Sequence, residues 1–169
     1  AVLNTPLSVG KTKTPRLGYF LSPQQGFWQN AEPENKSFDA NIVVDGLQDK
    51  VEVLMDERLV PHIYANNDND AYYTQGFLHA KFRLWQMEFQ THAAAGRISE
   101  IIGEKALDFD RTQRRLGMVF AAENAVAAMD KNPVAKAMVE IYTRGINAYI
   151  ASLSYEQLPI EYKLLVYQP

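Results

Sequence analysis

Hydrophobic and polar positions divide the chain into stretches of different period. Val51-Glu-Val-Leu-Met55 alternates as a strand does, the polar Asp56-Glu57-Arg58-Leu59 turns, and Val60-Pro-His-Ile-Tyr-Ala65 returns, which predicts a β-hairpin. Pro61 has no N–H to give to a ladder, so the second strand has an edge or a bulge there. Asn66-Asn67-Asp68-Asn69-Asp70 is a run of capping residues. From Ala71 to about Ala95 there is no proline and only Gly76 as a weak helix former, so one long helix is predicted. At about 100° per residue, Tyr73, Phe77, Ala80, Leu84 and Met87 share one face and Leu78, Phe82, Trp85 and Phe89 share another. A helix with two apolar faces packs on two sides.

Two polar stripes separate those faces: Thr74, Lys81 and Glu88 form one, and Gln75, His79, Arg83, Gln86 and Gln90 form the other. Solvent-facing helices usually carry Lys and Glu pairs. A row of amides, an imidazole and a guanidinium has the donors and acceptors that hold backbone groups or carboxylates, so the second stripe reads as an anchor for loops from elsewhere.

Gly96 breaks the helical pattern, and Arg97-Ile-Ser-Glu-Ile-Ile-Gly103 predicts two further turns closed by a glycine. Asp108 to Arg115 is charged and reads as irregular or briefly helical. Met118 to Met129 and Val134 to Leu153 predict a helical pair joined by a turn at Lys131-Asn132-Pro133. Ser154-Tyr-Glu-Gln-Leu-Pro159 has the pattern of a capping box, and the chain then ends on the apolar Leu164-Leu165-Val166-Tyr167, as if more should follow.

Residues 1 to 50 hold Pro6, Pro15, Pro23 and Pro33 and four of the nine glycines, with no sustained period. They form an extended arm. Leu17, Tyr19, Phe20, Leu21, Phe27 and Trp28 would be costly to leave in water at about 25 cal/mol per Å² of apolar surface, so the arm is expected to lie against a body. Residues 51–169 form the second region.

Composition narrows the function classes. With 169 residues, 47% of them hydrophobic, the chain can bury a core. Its net charge of -3, with no basic block, argues against nucleic-acid binding. The absence of cysteine removes disulfides, thiolate metal sites and a cysteine nucleophile from this chain. No stretch is long and apolar enough to span a bilayer, and the first thirty residues lack a signal-peptide layout. An exported protein would therefore have lost its signal.

The candidate chemistry is sparse. The histidines are His62, His79 and His92. Glu88 and His92 stand four apart and could share a metal, but no second cluster supplies further ligands, so a surface pair is the simpler reading. His62 reads as a hydrogen-bonded structural histidine rather than an acid or base. There is no nucleophile elbow, phosphate loop, dinucleotide fingerprint or H-E-x-x-H, and no serine has an activating context.

Four linked motifs carry a resemblance: Asp56-Glu-Arg-Leu-Val-Pro-His-Ile-Tyr-Ala65, Asp70-Ala-Tyr-Tyr-Thr-Gln-Gly-Phe-Leu-His-Ala80, Arg83-Leu-Trp-Gln-Met-Glu88 and Ala95-Gly-Arg-Ile-Ser-Glu-Ile-Ile-Gly103. In order and spacing, roughly residues 51 to 169 resemble the start of the penicillin acylase family, and Arg114-Arg115, Gly145-Ile-Asn147-Ala and Leu158-Pro-x-Glu-Tyr162 resemble its later landmarks. Leu59 departs from the pattern, which has glycine at that point of the hairpin turn.

The resemblance implies an α+β fold: a largely helical α subunit with a short β-hairpin, contributing to the αββα sandwich of an N-terminal-nucleophile hydrolase completed by a β chain from the same precursor. In that family the first residue of the β chain attacks an amide carbonyl with its own α-amino group as base. No catalytic, cofactor-binding or metal residue is then assigned within this chain, and a structural calcium belongs, if anywhere, to the complete enzyme. The implied substrate is a small acyl amide, such as a β-lactam side chain or an acyl-homoserine lactone, and the implied location is the periplasm or outside the cell. His62, Gln75, His79, Arg83 and Gln86 become candidates for supporting the partner chain; pairing only within this chain is the alternative for Arg83 and Gln86. A non-catalytic scaffold or binding domain of the same architecture is the rival function, given some weight by the arm's aromatic clusters outside the family landmarks.

Overall fold

The structure, a computed structural model, describes residues 8–9, 12–13, 17–34 and 36–169. Pro6 and Pro15 of the arm lie outside them. The elements in chain order are β1 (Ser8–Val9), β2 (Thr12–Lys13), α1 (Leu17–Phe20), β3 (Glu52–Met55), β4 (Pro61–Tyr64), α2 (Asp68–Ala95), α3 (Ser99–Ile102), α4 (Leu107–Leu116), α5 (Met118–Met129), α6 (Pro133–Ser152) and α7 (Ile160–Leu165), with short 3-10 turns at Phe27–Asn30, Glu104–Ala106 and Tyr155–Gln157. The chain is mostly helical, as expected. It forms two compact units, one made of Ala1–Lys36, Glu88–Arg115 and Leu153–Pro169 and the other of Ser37–Met87 and Leu116–Ser152.

In the second of these units, β3 and β4 form the predicted hairpin in antiparallel register, with Val53 opposite Ile63 and Leu54 opposite His62. Alternate residues along both strands are half-buried and exposed, as one-sided packing requires. Asp56 builds the turn: one carboxylate oxygen accepts the N–H groups of Arg58 and Val60 at 2.8 Å, and its carbonyl accepts that of Leu59. Leu59 sits at φ 60°, the left-handed region in which glycine avoids a side-chain cost of about 1–2 kcal/mol. Leucine thus occupies a turn position whose backbone favours glycine.

The core of this unit lies on α2, where Tyr73, Phe77, Leu78, Ala80 and Leu84 are buried. Helix α6 crosses at the closest approach backbones allow: a Cβ on Gly76 would stand 2.0 Å from the Tyr142 carbonyl oxygen, and one on Gly145 2.0 Å from that of Tyr73. Gly76, a weak point for helix propensity, is therefore a packing requirement. By contrast α5 buries none of its residues, and Phe120 remains 71% exposed.

Two expectations are corrected. Residues 68–95 are not one uninterrupted helix: Arg83 has φ -142° and ψ 21°, which joins two helices end to end. No proline or glycine marks this break. Propensity and period describe each half, whereas the residues beyond Met87 pack in the other unit. The charged stretch after Leu107 is a full ten-residue helix, with Asp108 and Asp110 in its first turn and Arg114 and Arg115 in its last, the polarity that complements the helix dipole. Near the end of the described residues, α7 closes at Leu165 and Val166 follows at φ 55°.

In the unit containing the chain's beginning, Phe20 stacks on Phe27 at 5.2 Å between centroids, Phe27 meets Trp28 at 4.3 Å, and Tyr19 meets Tyr155 edge-on at 6.2 Å. Asn30 donates its side-chain amide to the Leu158 carbonyl at 2.9 Å. The aromatic residues of the arm thus pack on the segment around α7. The capping box at Ser154 and Gln157 is present.

Candidate functional site

Helix α2 presents the anticipated stripe to solvent: Gln75, His79, Arg83, Gln86 and Gln90 are all exposed. His79 Nδ1 lies 2.8 Å from the Tyr142 hydroxyl on α6, which fixes the imidazole against the neighbouring helix. The Arg83 guanidinium donates to the Gln86 side-chain oxygen at 3.0 Å. Among the described residues the side chains of Gln75 and Gln90 have no hydrogen-bond partner. His62 is on the outer face of the hairpin, where its Nε2 is 3.7 Å from an Asp56 carboxylate oxygen. The structure therefore groups four of the five candidate residues on one helix and leaves His62 on another element.

Two aspartates that sequence reasoning did not single out hold loops in place by the same device. Asp70, 1% exposed, accepts the successive backbone N–H groups of Gln48 and Asp49 at 2.8 and 2.9 Å, together with the Asn67 side-chain amide at 2.7 Å. Asp110, 3% exposed, accepts those of Ile98 and Ser99 at 2.9 and 2.8 Å, which supplies the N-terminal cap that α3 lacks locally. Burial by itself would raise both carboxyls; the hydrogen bonds outweigh it and hold each below the ordinary carboxylate value. A depressed folded-state pKa contributes stability that is present above the unfolded value and lost as pH falls through the folded one. Asp110→Asn should therefore be less stable than wild type at pH 7, and the gap should narrow below about pH 4 in thermal melts taken at decreasing pH. A gap independent of pH would mean that the charge of Asp110 contributes nothing.

Around α7, Tyr162 is 1% exposed and donates to Glu88 at 2.5 Å, while the Tyr167 hydroxyl is 3.4 Å from His92 Nε2. Burial first, and the Glu88 carboxylate second, push the Tyr162 phenol well above its ordinary value. Tyr167 is pushed up to about 12, first by its hydrogen-bonding interaction with Glu88. His92 is buried, with Nδ1 3.0 Å from the Glu88 carbonyl oxygen. Lys163, 1% exposed, places its ammonium 3.1 Å from the Gly26 carbonyl, 2.7 Å from the Asn30 side-chain oxygen and 2.9 Å from the Glu156 carbonyl. Burial lowers its proton affinity.

A cavity of about 170 Å³ opens between α2, β3 and the residues that precede the hairpin. Most of its lining side chains are apolar; Lys81, whose ammonium stands 5.9 Å from the Phe82 ring centre, Thr74 and Tyr73 carry polar groups. The Thr74 hydroxyl is buried without any hydrogen-bond partner. Such a group ordinarily costs about 1–3 kcal/mol.

Among the described residues no serine or threonine hydroxyl bonds a histidine, and no three His, Cys, Asp or Glu side chains cluster as metal ligands would. No helix among them is long and apolar enough to cross a membrane. The arrangement can hold and orient other polypeptide; it offers no assembled nucleophile and base.

Comparison with known proteins places the chain in a family. Residues 50–169 match the family model described as penicillin amidase. The chain is 40% identical over 129 residues to the penicillin acylase 2 proenzyme of Pseudomonas sp. (strain SE83), and 32% identical over 127 residues to the acyl-homoserine lactone acylase QuiP of Pseudomonas putida. These alignments cover 76% and 75% of this chain but only 16% and 15% of the relatives. A thermostable penicillin G acylase from Alcaligenes faecalis superimposes with a TM-score of 0.62 at 28% identity, over 71% of this chain and 64% of that one. The hairpin, α2 and the Gly76–Gly145 crossing all fall within the matched residues, and the chain belongs to the penicillin amidase family.

Proposed function

We propose that this chain is the α portion of a self-processing amidohydrolase that cleaves an N-acyl linear amide into a carboxylic acid and an amine. The observation that carries the reading is the match to a penicillin acylase and to an acyl-homoserine lactone acylase, both acting on acyl groups by name, across most of this chain. On this reading the nucleophile is the first residue of a partner β chain. Its α-amino group, with an ordinary pKa of about 7.7–8.0, is suited to act as the base near neutral pH. Attack on the amide carbonyl gives an acyl-enzyme and releases the amine; water then releases the acid. The role of this chain is support: the exposed Gln75, His79, Arg83 and Gln86 offer donors and acceptors to loops of the partner, and His62 offers a further contact from the hairpin. The complete protein would act in the periplasm or outside the cell, and any structural calcium would be bound in that complete protein.

N-terminal sequencing and intact-mass measurement of the native protein test the proposal. A larger co-purifying chain that begins with Ser, Thr or Cys, together with hydrolysis of linear acyl amides, is the expected result. A folded protein with no second chain and no amidase activity supports the scaffold instead. Arg83→Met should lower the yield of processed two-chain protein several-fold. An unchanged yield would confine the Arg83–Gln86 pair to a role within this chain.

A further inference from the structure

Proton donors and acceptors gather where Glu88 and His92, one turn apart on α2, meet Tyr162 and Tyr167. His92 is buried there, and its Nδ1 stands 3.0 Å from the Glu88 backbone carbonyl oxygen. A carbonyl only accepts, so in the neutral ring the hydrogen sits on Nδ1 and Nε2 is bare. Facing Nε2 is the Tyr167 hydroxyl, 3.4 Å away. That hydroxyl has one hydrogen and a stronger acceptor in the Glu88 carboxylate, whose hydrogen-bonding interaction is the first cause of the raised Tyr167 phenol. The same carboxylate takes the Tyr162 hydrogen at 2.5 Å and forms no ion pair among the described residues. With the Tyr167 hydrogen spent on Glu88, bare Nε2 faces a phenol oxygen, acceptor against acceptor, which accounts for the long contact.

The backbone beside this contact is strained. Val166, between α7 and Tyr167, has φ 55°, a region where a β-branched residue is rarely found and persists only when its surroundings hold it. Those surroundings are the residue that follows: the Tyr167 N–H donates to the Tyr162 carbonyl at 3.0 Å, and its ring stacks on that of Tyr162 at 6.1 Å between centroids and 13° between planes. Val166 and Gln168 are themselves exposed. The order of residues 166–168 therefore depends on how firmly Tyr167 is held.

We propose that His92 is a proton-operated clasp on Tyr167, closed in acid and loose at higher pH. When Nε2 takes a proton from solvent it donates to the Tyr167 oxygen, Tyr167 donates to the Glu88 carboxylate, and Nδ1 keeps its bond to the Glu88 carbonyl. Every polar atom in the line then has a partner, and an imidazolium is linked through one hydroxyl to a carboxylate. Loss of the proton to solvent restores the facing acceptors. The other charges around His92 leave this balance in place. Glu100 on α3 attracts the imidazolium. Arg97 is tied to Glu100 by hydrogen bonds of 2.9 and 2.7 Å, and Arg114 on α4 donates to the Gly96 carbonyl at 2.9 Å. Both phenols are held above their ordinary value, so neither loses its proton in the interval, about pH 5 to 8, in which imidazole side chains change charge.

Hydrogen exchange of the assembled native protein at about pH 5.5 and about pH 8, each rate divided by that of an unstructured peptide at the same pH, tests the clasp on a peptide covering 160–168. The amides of Val166 and Tyr167 should be roughly tenfold better protected at the lower pH. His92→Gln, which cannot gain a charge, and Tyr167→Phe, which keeps the ring but loses the hydroxyl, should each abolish that difference. Tyr167→Phe removes a single oxygen from a half-buried side chain, so it carries the test even if His92→Gln fails to fold. Equal protection of the wild type at the two pH values, or a tenfold change that survives in Tyr167→Phe, overturns the proposal. So does a change of the same size in a peptide covering 141–149 on α6, which would make the effect one of global stability.

Discussion

Gly145→Ala should lower the stability of the assembled protein by about 3 kcal/mol, against the gain of about 1 kcal/mol that alanine brings to a helix interior. The reason is distance. The new methyl carbon would stand 2.0 Å from the Tyr73 carbonyl oxygen and 2.9 Å from the Phe77 nitrogen, and neither neighbour is a side chain that can swing aside. Helices α2 and α6 would have to separate, which would loosen the contact of Phe77 with Tyr149, now at 5.3 Å between ring centres, and the His79–Tyr142 hydrogen bond. Gly76→Ala meets the Tyr142 carbonyl oxygen in the same way. Because either substitution pushes the same pair of helices apart, the double variant should cost clearly less than the sum of the singles. Denaturant midpoints of the four proteins check this; additive losses would show that the two glycines do not share one crossing.

Lys163→Met is expected to destabilise by about 3 kcal/mol, although methionine has nearly the same length and relieves the burial of a charge. Methionine leaves the Gly26 carbonyl, the Asn30 side-chain oxygen and the Glu156 carbonyl without their shared donor. The loss should be local as well as global: proteolysis should begin in residues 17–34, whose aromatic cluster depends on that anchor. The pH dependence has a definite sign. Burial puts the folded-state pKa of Lys163 below the ordinary 10.5, so between the two values the unfolded chain binds more protons and native stability rises with pH. Wild type should therefore draw further ahead of Lys163→Met as pH rises toward 10.5. A gap that stays constant would mean that the ammonium bears no burial penalty.

Local chemistry made much of this molecule legible in advance. The hairpin followed from partial alternation around a polar turn, α5 from its alanine content, α6 from helical spacing, and the turn at Ser154 from a capping box, because each depends on neighbours within a few residues. The family was legible because its motifs are ordered along the same stretch. The break at Arg83 was not, since no residue near it resists a helix; nor was α4, whose charged composition hides the placement of acids and arginines at opposite ends.

By itself, then, the sequence determined the mostly helical α+β class, the hairpin and membership of an acylase family. Only the tertiary structure decided that Gly76 and Gly145 are one contact, that Asp70 and Asp110 clamp pairs of backbone amides, and that Lys163 anchors the arm. Each of these joins residues 10 or more positions apart in the chain. Pattern and propensity describe short-range preference, whereas close backbone approach and the satisfaction of buried polar groups are set by which distant segments meet.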